Sequence, residues 1–437
     1  MHYEGNATEQ LLAFIQKSPT AFHAVRELGG LLEENGFQRL EESESWELEA
    51  GKAYYLTRNL STLIAFRMPK QQPKQILITA THTDSPMLKL KPNAETNVGE
   101  QYVKLNTEVY GGTIFSSWLD RPLSIAGRVI LNENGVFSAK LIDFNRDLAL
   151  IPSVAIHMNR TVNAGKEYNA AVDLSPLFAA AESKKTLKAL ICEELHCGEE
   201  QIAGTDLYLY NRTVGTVFGA NGEFFAAPRI DNLMCAYGTV CGLLQAKDSE
   251  TSLNVSFFAD NEEVGSDTKQ GAGSVMLADV LNRICESVNA DARRLLASSF
   301  MVSADNAHAQ HPNHCELSDG NHAPHMNRGV VIKTNAAQKY ATDGMSAALF
   351  AEICKRADVP VQYYANRSDM PGGSTLGSLS NTRVPLCTVD VGMAQLAMHT
   401  SYETAGCADT EYLIRAIKQF YEVGIDSERD GVFRLIF

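Results

Sequence analysis

Val255-Ser-Phe-Phe-Ala-Asp-Asn-Glu-Glu-Val-Gly-Ser266 runs from apolar and aromatic residues straight into four consecutive acidic or amide side chains. The apolar half predicts a buried strand. Carboxylates at the exit of such a strand stand where α/β proteins open their ligand crevice. Adjacent side chains cannot point the same way, so Glu262 and Glu263 are expected to do different jobs. An exposed acidic turn is the plain alternative for this segment taken alone.

Working outward, the same pattern recurs. Residues 75–81 read as a second buried strand, ending in His82-Thr-Asp84. Residues 300–304 form a third, ending in Asp305, and a strand over 386–391 precedes His399. Helical spacing covers 7–35, broken at Ser18-Pro19, with Thr20 as the expected N-cap of the second helix. Residues 54–66 alternate like a strand pair turning at Arg58-Asn59. Further strands are expected over 330–333 and 361–364. Helices are expected over 233–246, 275–288, 346–357 and 410–423, the last closing the fold. Strands alternating with helices predict an α/β protein, with a mostly parallel mixed sheet flanked by helices. From about residue 94 the texture changes to short alternating runs such as 103–109 and 125–131, which predict a β-rich unit. The expected division is therefore a site-bearing domain made of 1–93 and 228–437, with 94–227 inserted into it.

At 437 residues the chain exceeds the usual size of one core, in keeping with that division. Lys plus Arg number 38 against 52 Asp plus Glu, a formal net charge of -14, which argues against a nucleic-acid binder. Nine scattered cysteines form no CxxC pair, so neither a zinc ribbon nor a redox motif is indicated. The start, Met1-His-Tyr-Glu-Gly-Asn6, has no basic segment followed by an apolar core, so a signal peptide is not expected. No apolar run approaches the roughly 18 residues of a membrane span. A reducing cytoplasm is the expected compartment.

His82, Asp84, Asp231, Glu262, Glu263, Asp305 and His399 all fall at or just beyond these strand ends or at the start of a helix. Imidazole and carboxylate together suit zinc, and also cobalt or manganese. Five carboxylates converging without a cation would repel one another and resist ionisation. Two divalent ions remove that cost, provided one carboxylate bridges them. Asp84, two residues from His82, is placed to orient its ring.

The segments Thr81-His-Thr-Asp-Ser-Pro86, Arg229-Ile-Asp-Asn-Leu233, Asp260-Asn-Glu-Glu-Val-Gly-Ser266, Ser303-Ala-Asp-Asn-Ala-His-Ala-Gln-His-Pro-Asn313 and Gln395-Leu-Ala-Met-His399 resemble, in order, those of the M18 metallo-aminopeptidases, the aspartyl aminopeptidase family of the co-catalytic zinc peptidase clan. The resemblance implies that His82, Asp231 and Asp305 hold one metal ion and Asp231, Glu263 and His399 the other. Glu262 is then the general base and Asp84 the partner of His82. It further implies that the insert is a dimerisation domain whose His157 reaches a neighbouring subunit's site. His308, Lys333 and Tyr340 would contact a peptide substrate with an acidic N-terminal residue, and the homo-oligomer would be a tetrahedral dodecamer built from dimers. Asn306 departs from the family, which usually has an apolar residue there.

Other features carry less. His308, His311, His314, His322 and His325 crowd one loop, expected to pack at the site entrance or a subunit contact. Asp120 and Arg121 in Trp118-Leu-Asp-Arg121 are expected to form a structural ion pair. A glycosidase fits poorly, because its two carboxylates must face each other across a sugar. An inactive binding scaffold fits poorly too, since no matched ligand or base is missing.

Overall fold

A computed structural model describes residues 5–183 and 185–437. The signal-peptide reading rests largely on residues 1–4, outside that range. The strands Gln75–His82 and Ser252–Ala259 are buried along all eight residues of each and pair in parallel, Ser252 with Gln75 through to Ala259 with His82. Phe300–Ala304 and Cys387–Gly392 continue the sheet in parallel. These four strands sit within a nine-stranded sheet, whose antiparallel neighbours include the expected pair, Ala53–Arg58 and Thr62–Arg67. The fold class is as expected, a mixed α/β sheet covered by helices.

Side-chain alternation explains why both faces are covered. Leu253, Val255, Phe257 and Ala259 enter a core with the helix Met276–Ser287. Phe258 enters the opposite core, with Ala7–Lys17, Ala21–Glu34, Ile230–Gln245 and Cys407–Glu422. Ser256 on that second face is satisfied by the hydroxyl of Tyr421, which also bonds Thr79 and the Val255 carbonyl. An Asn6/Glu9 capping box starts the first helix. Thr20 stands at the N-cap of the second without capping it; its hydroxyl bonds the His23 ring instead, 2.8 Å away.

A second, six-stranded sheet has its own core, including Leu88, Leu105, Trp118, Ile125 and Leu209. It starts with Met87–Val98 and ends with Ile202–Asn211. The strands Thr216–Phe218 and Phe224–Ala227 instead join Glu403–Gly406, Ala394–Leu396 and Ala307–His308 in a five-stranded sheet beside the candidate site. Residues 152–157 form no strand, and His157 lies in an exposed loop with Val154, Ile156 and Met158. The helix Cys407–Glu422 does not close the fold. A hairpin of Gly424–Arg429 and Val432–Ile436 follows, turning at Asp430-Gly431 with Gly431 at φ +75°. Asp120 and Arg121 do not pair with each other as expected. Asp120 accepts from Ser153, and Arg121 donates to the Ser117 carbonyl, so local backbone needs win.

Candidate active site

Because the central strands run in parallel, their exits share one edge of the sheet. His82 is the last residue of its strand. Asp305 follows Ala304 directly, and Glu262 and Glu263 lie in the short 3-10 turn Glu262–Val264 after Ser252–Ala259. Asn261, in the left-handed region at φ +63°, turns the chain there. Asp231 enters from the start of Ile230–Gln245, where it and Asn232 are not yet helical. His399 comes from the loop after Ala394–Leu396, itself left-handed at φ +67°.

The seven residues converge. His82 Nε2 lies 3.6 Å from Asp231 Oδ1 and 3.6 Å from Asp305 Oδ1, while its Nδ1 lies 3.4 Å from Asp84 Oδ1. On the other side His399 Nε2 lies 3.6 Å from Asp231 Oδ2 and 3.4 Å from Glu263 Oε2. Asp231 thus turns one oxygen to each histidine. His82, Asp231 and Asp305 form one group whose ligand atoms lie within 4.8 Å of one another, and Asp231, Glu263 and His399 form another. A third group, His82 with Glu262 and Glu263, meets the same criterion, so both glutamates reach the cluster.

The electrostatics are those of crowded acids. Burial, first, raises Glu262 to about 8 and Glu263 well above the carboxylate range, and Asp231 adds repulsion to both. Burial would lower both histidines, but carboxylates outweigh it: Asp231, Asp305 and Asp84 hold His82 up, and Asp231 brings His399 to about 8. For Asp231, burial would raise the carboxyl, yet His399 and His82 pull it below its usual range. Asp231 Oδ1 and Glu263 Oε1 are buried without a hydrogen-bond partner among the described residues. A buried, unpaired carboxylate costs several kcal/mol, and cations are what relieve it. This donor set of imidazole and carboxylate fits zinc.

Glu262 lines a cavity of about 180 Å³ together with His308, Lys333, Tyr340 and Tyr364. Glu263 does not. Larger depressions, about 420 Å³ under Ala21–Glu34 and about 600 Å³ near Leu187, bring no such ligand group with them among the described residues. Lys333 is buried, with Nζ 2.8 Å from the Asp305 carbonyl, 3.3 Å from that of Asn306 and 3.7 Å from Asp305 Oδ2. His157 lines no part of this cavity. Of the loop histidines, only His308 lines it. His314 and His322 face Glu316 and Asp319 instead.

Three contributors were not expected from the sequence. Glu403, buried, accepts the backbone N–H of Asp231 at 2.9 Å and that of His399 at 2.8 Å. Burial and then Asp231 raise its carboxyl to about 8. Tyr110 donates to Asp84 Oδ2 at 2.7 Å, and the Gly112 carbonyl faces His399 Nδ1 at 3.2 Å. A carboxylate four residues past His399 is a signal that could have found Glu403. Asn306, the departure from the family, is buried and satisfied. Its amide donates to the Ile230 carbonyl and to Gln395, and it accepts from the Cys235 thiol.

A family model described as aminopeptidase I zinc metalloprotease (M18) matches residues 14–421. A probable M18 family aminopeptidase 2 of Clostridium novyi is 44% identical over 426 residues, covering 95% of this chain and 98% of its own. A chain of the Ape4 and Nbr1 complex superposes with a TM-score of 0.91 at 32% identity, over 96% of this chain and 87% of that one. The S. cerevisiae mApe1 dodecamer gives a TM-score of 0.85 at 27% identity, over 95% of this chain and 96% of that one. The chain belongs to the M18 family of zinc metallo-aminopeptidases, and the groups of His, Asp and Glu at the sheet edge could hold a metal ion. Among the described residues no helix is long and apolar enough to cross a membrane.

Proposed function

We propose that this aminopeptidase releases acidic N-terminal residues, Asp or Glu, from peptides at a centre of two divalent ions, zinc or else cobalt or manganese. His82, Asp231 and Asp305 would hold one ion and Asp231, Glu263 and His399 the other. The observation that carries this reading is the placement of Asp231, with Oδ1 toward His82 and Oδ2 toward His399, each at 3.6 Å. Zinc, when bound, supplies Lewis acidity and lowers the pKa of water. Glu262, on the cavity wall, takes the proton of the attacking water and returns it to the departing amine nitrogen. Its neighbour Glu263, behind the wall with one oxygen unpartnered, suits a ligand better than a base. Asp84 orients the His82 ring.

Lys333, with Tyr340 and His308 on the cavity wall, supports an acidic preference by charge pairing. One observation favours a second reading, neutral residues such as Leu. Two of the three ammonium donors of Lys333 already go to backbone carbonyls, and aromatic Tyr340 and Tyr364 line the same space. Hydrolysis of Asp-, Glu- and Leu-anilides by zinc- or cobalt-loaded protein tests both. Acidic substrates should be turned over fastest, with the Asp-to-Leu ratio falling in Lys333→Ala. Release of none of the three would sink the aminopeptidase site itself.

The inserted unit 94–227 is proposed to join copies into dimers and those into a tetrahedral dodecamer in the cytoplasm; one of the similar structures is itself a dodecamer. The exposed Val154, Ile156 and Met158, at 49%, 47% and 78%, flank His157. Burying that loop against a second copy would bring His157 to that copy's oxyanion. Sedimentation as a monomer at assay concentration would remove this part of the reading.

A further inference from the structure

We propose that the segment 110–114, where the chain leaves the inserted six-stranded sheet, is a positioning strap for the histidines on both sides of the metal site. Its first anchor is Tyr110, at the end of the strand Tyr102–Tyr110 and in register with Met87. His82 presents Nε2 to the carboxylate cluster only while Nδ1 is held, and Asp84 holds it from two sides, with its carbonyl oxygen at 3.1 Å and its Oδ1 at 3.4 Å. Asp84 is itself a buried carboxylate whose oxygens take the backbone N–H groups of Glu262 at 3.1 Å and Glu263 at 3.2 Å. The remaining donor, Tyr110 O–H at 2.7 Å, comes from the inserted sheet.

The direction of that hydrogen bond is fixed by its neighbours. Asn261 Oδ1 accepts from Thr268 and from Gln270, each at 2.9 Å, which leaves its amide nitrogen facing Tyr110 at 2.9 Å. The phenol therefore accepts from Asn261 and gives its single proton to Asp84.

The second anchor is His399. Its Nδ1 faces the Gly112 carbonyl, which can only accept, so Nδ1 carries the proton and Nε2 turns its lone pair to the cluster. The His399 carbonyl accepts from Ile114 N–H at 2.9 Å and from the Thr113 hydroxyl at 3.2 Å. This close approach needs the glycine between the anchors. A Cβ on Gly111 would stand 3.1 Å from Glu263 Cβ and 3.3 Å from Pro86 Cα, at a φ of +75°. The sheet that lies apart from the catalytic core thus sets ring orientation on both sides of the metal site.

The proposal rests on the metal-centre reading, and its test separates the two. Zinc affinity is measured against a chromophoric chelator, and the absorption spectrum of the cobalt-loaded protein is recorded, for the full chain and for Tyr110→Phe. Loss of the hydroxyl should weaken zinc binding by about tenfold or more and shift the cobalt spectrum. Asn261→Asp, which keeps shape and tolerates the left-handed backbone, offers the phenol a competing acceptor and should change both readouts in the same direction. Tyr208→Phe, altering the ring that packs edge-on against Tyr110 at 5.7 Å, should leave both unchanged. A Tyr110→Phe protein with wild-type zinc affinity and cobalt spectrum, or failing that an Asn261→Asp protein with both unchanged, overturns the strap. Wild-type protein that binds neither zinc nor cobalt sinks the metal reading and the strap together.

Discussion

His82 and His399 face the same carboxylate from opposite sides, and the chain holds them by different means. His82 ends a fully buried parallel strand and is almost inaccessible, whereas the His399 side chain keeps 33% of its surface and sits in a loop with left-handed backbone. The first owes its place to the sheet. The second is held from outside its own segment, by Glu403 through its N–H and by residues 112–114 through its ring and carbonyl. A strand end fixes a ligand through many cooperative backbone bonds. A loop must be held by a few side chains, each of which can be removed singly.

Four substitutions would break or sharpen that contrast. Glu262→Gln takes the proposed base away and leaves both histidine sides intact, so turnover should fall by a factor on the order of a thousand with zinc content unchanged. Assay of the zinc-loaded variant decides it, and retained turnover would move the base elsewhere. Next, His82→Ala and His399→Ala are compared by metal content and thermal melting. Both should lose zinc. His82→Ala should also lower the melting temperature more, because it empties a buried strand position among carboxylates. Equal melting temperatures would erase the distinction between sheet-held and loop-held sides. The smallest effect belongs to Glu403→Gln. The amide nitrogen cannot accept an N–H, so one of the two backbone clamps is lost and zinc affinity should drop by about tenfold. An unchanged affinity would make Glu403 a mere core residue.

The contrast also separates what could be read in the sequence from what could not. Every ligand candidate at a strand exit was legible, because an apolar run that stops at His82, at Asp260 or at Asp305 marks both the strand and its polar end. Asp231 and His399 were collected with them, one from an expected helix start and the other from beyond an expected strand, and the structure places them at an irregular helix start and in a loop. Tyr110 was missed because a hydrogen bond spanning 26 residues leaves no local pattern, whereas Glu403, four residues past His399, left a local signal that was not taken up. The hairpin after Cys407–Glu422 was missed although Asp430-Gly431 is an ordinary turn signal between alternating residues. His157 was read within a strand-bearing stretch, and Pro152 begins a stretch without strand structure instead.

The five-stranded sheet beside the site has a consequence in time as well as in space. Its strand Glu403–Gly406 lies between Phe224–Ala227, which leads to Asp231, and Ala394–Leu396, which leads to His399. On the ribosome these pieces appear far apart. A nascent chain carries His82, Asp231 and Asp305 once 305 of its 437 residues have been made. It cannot complete the group around His399 until nearly all of the polypeptide has been synthesised. The sheet that frames the candidate site is therefore finished only when Gly406, the last residue of its last strand, has been made.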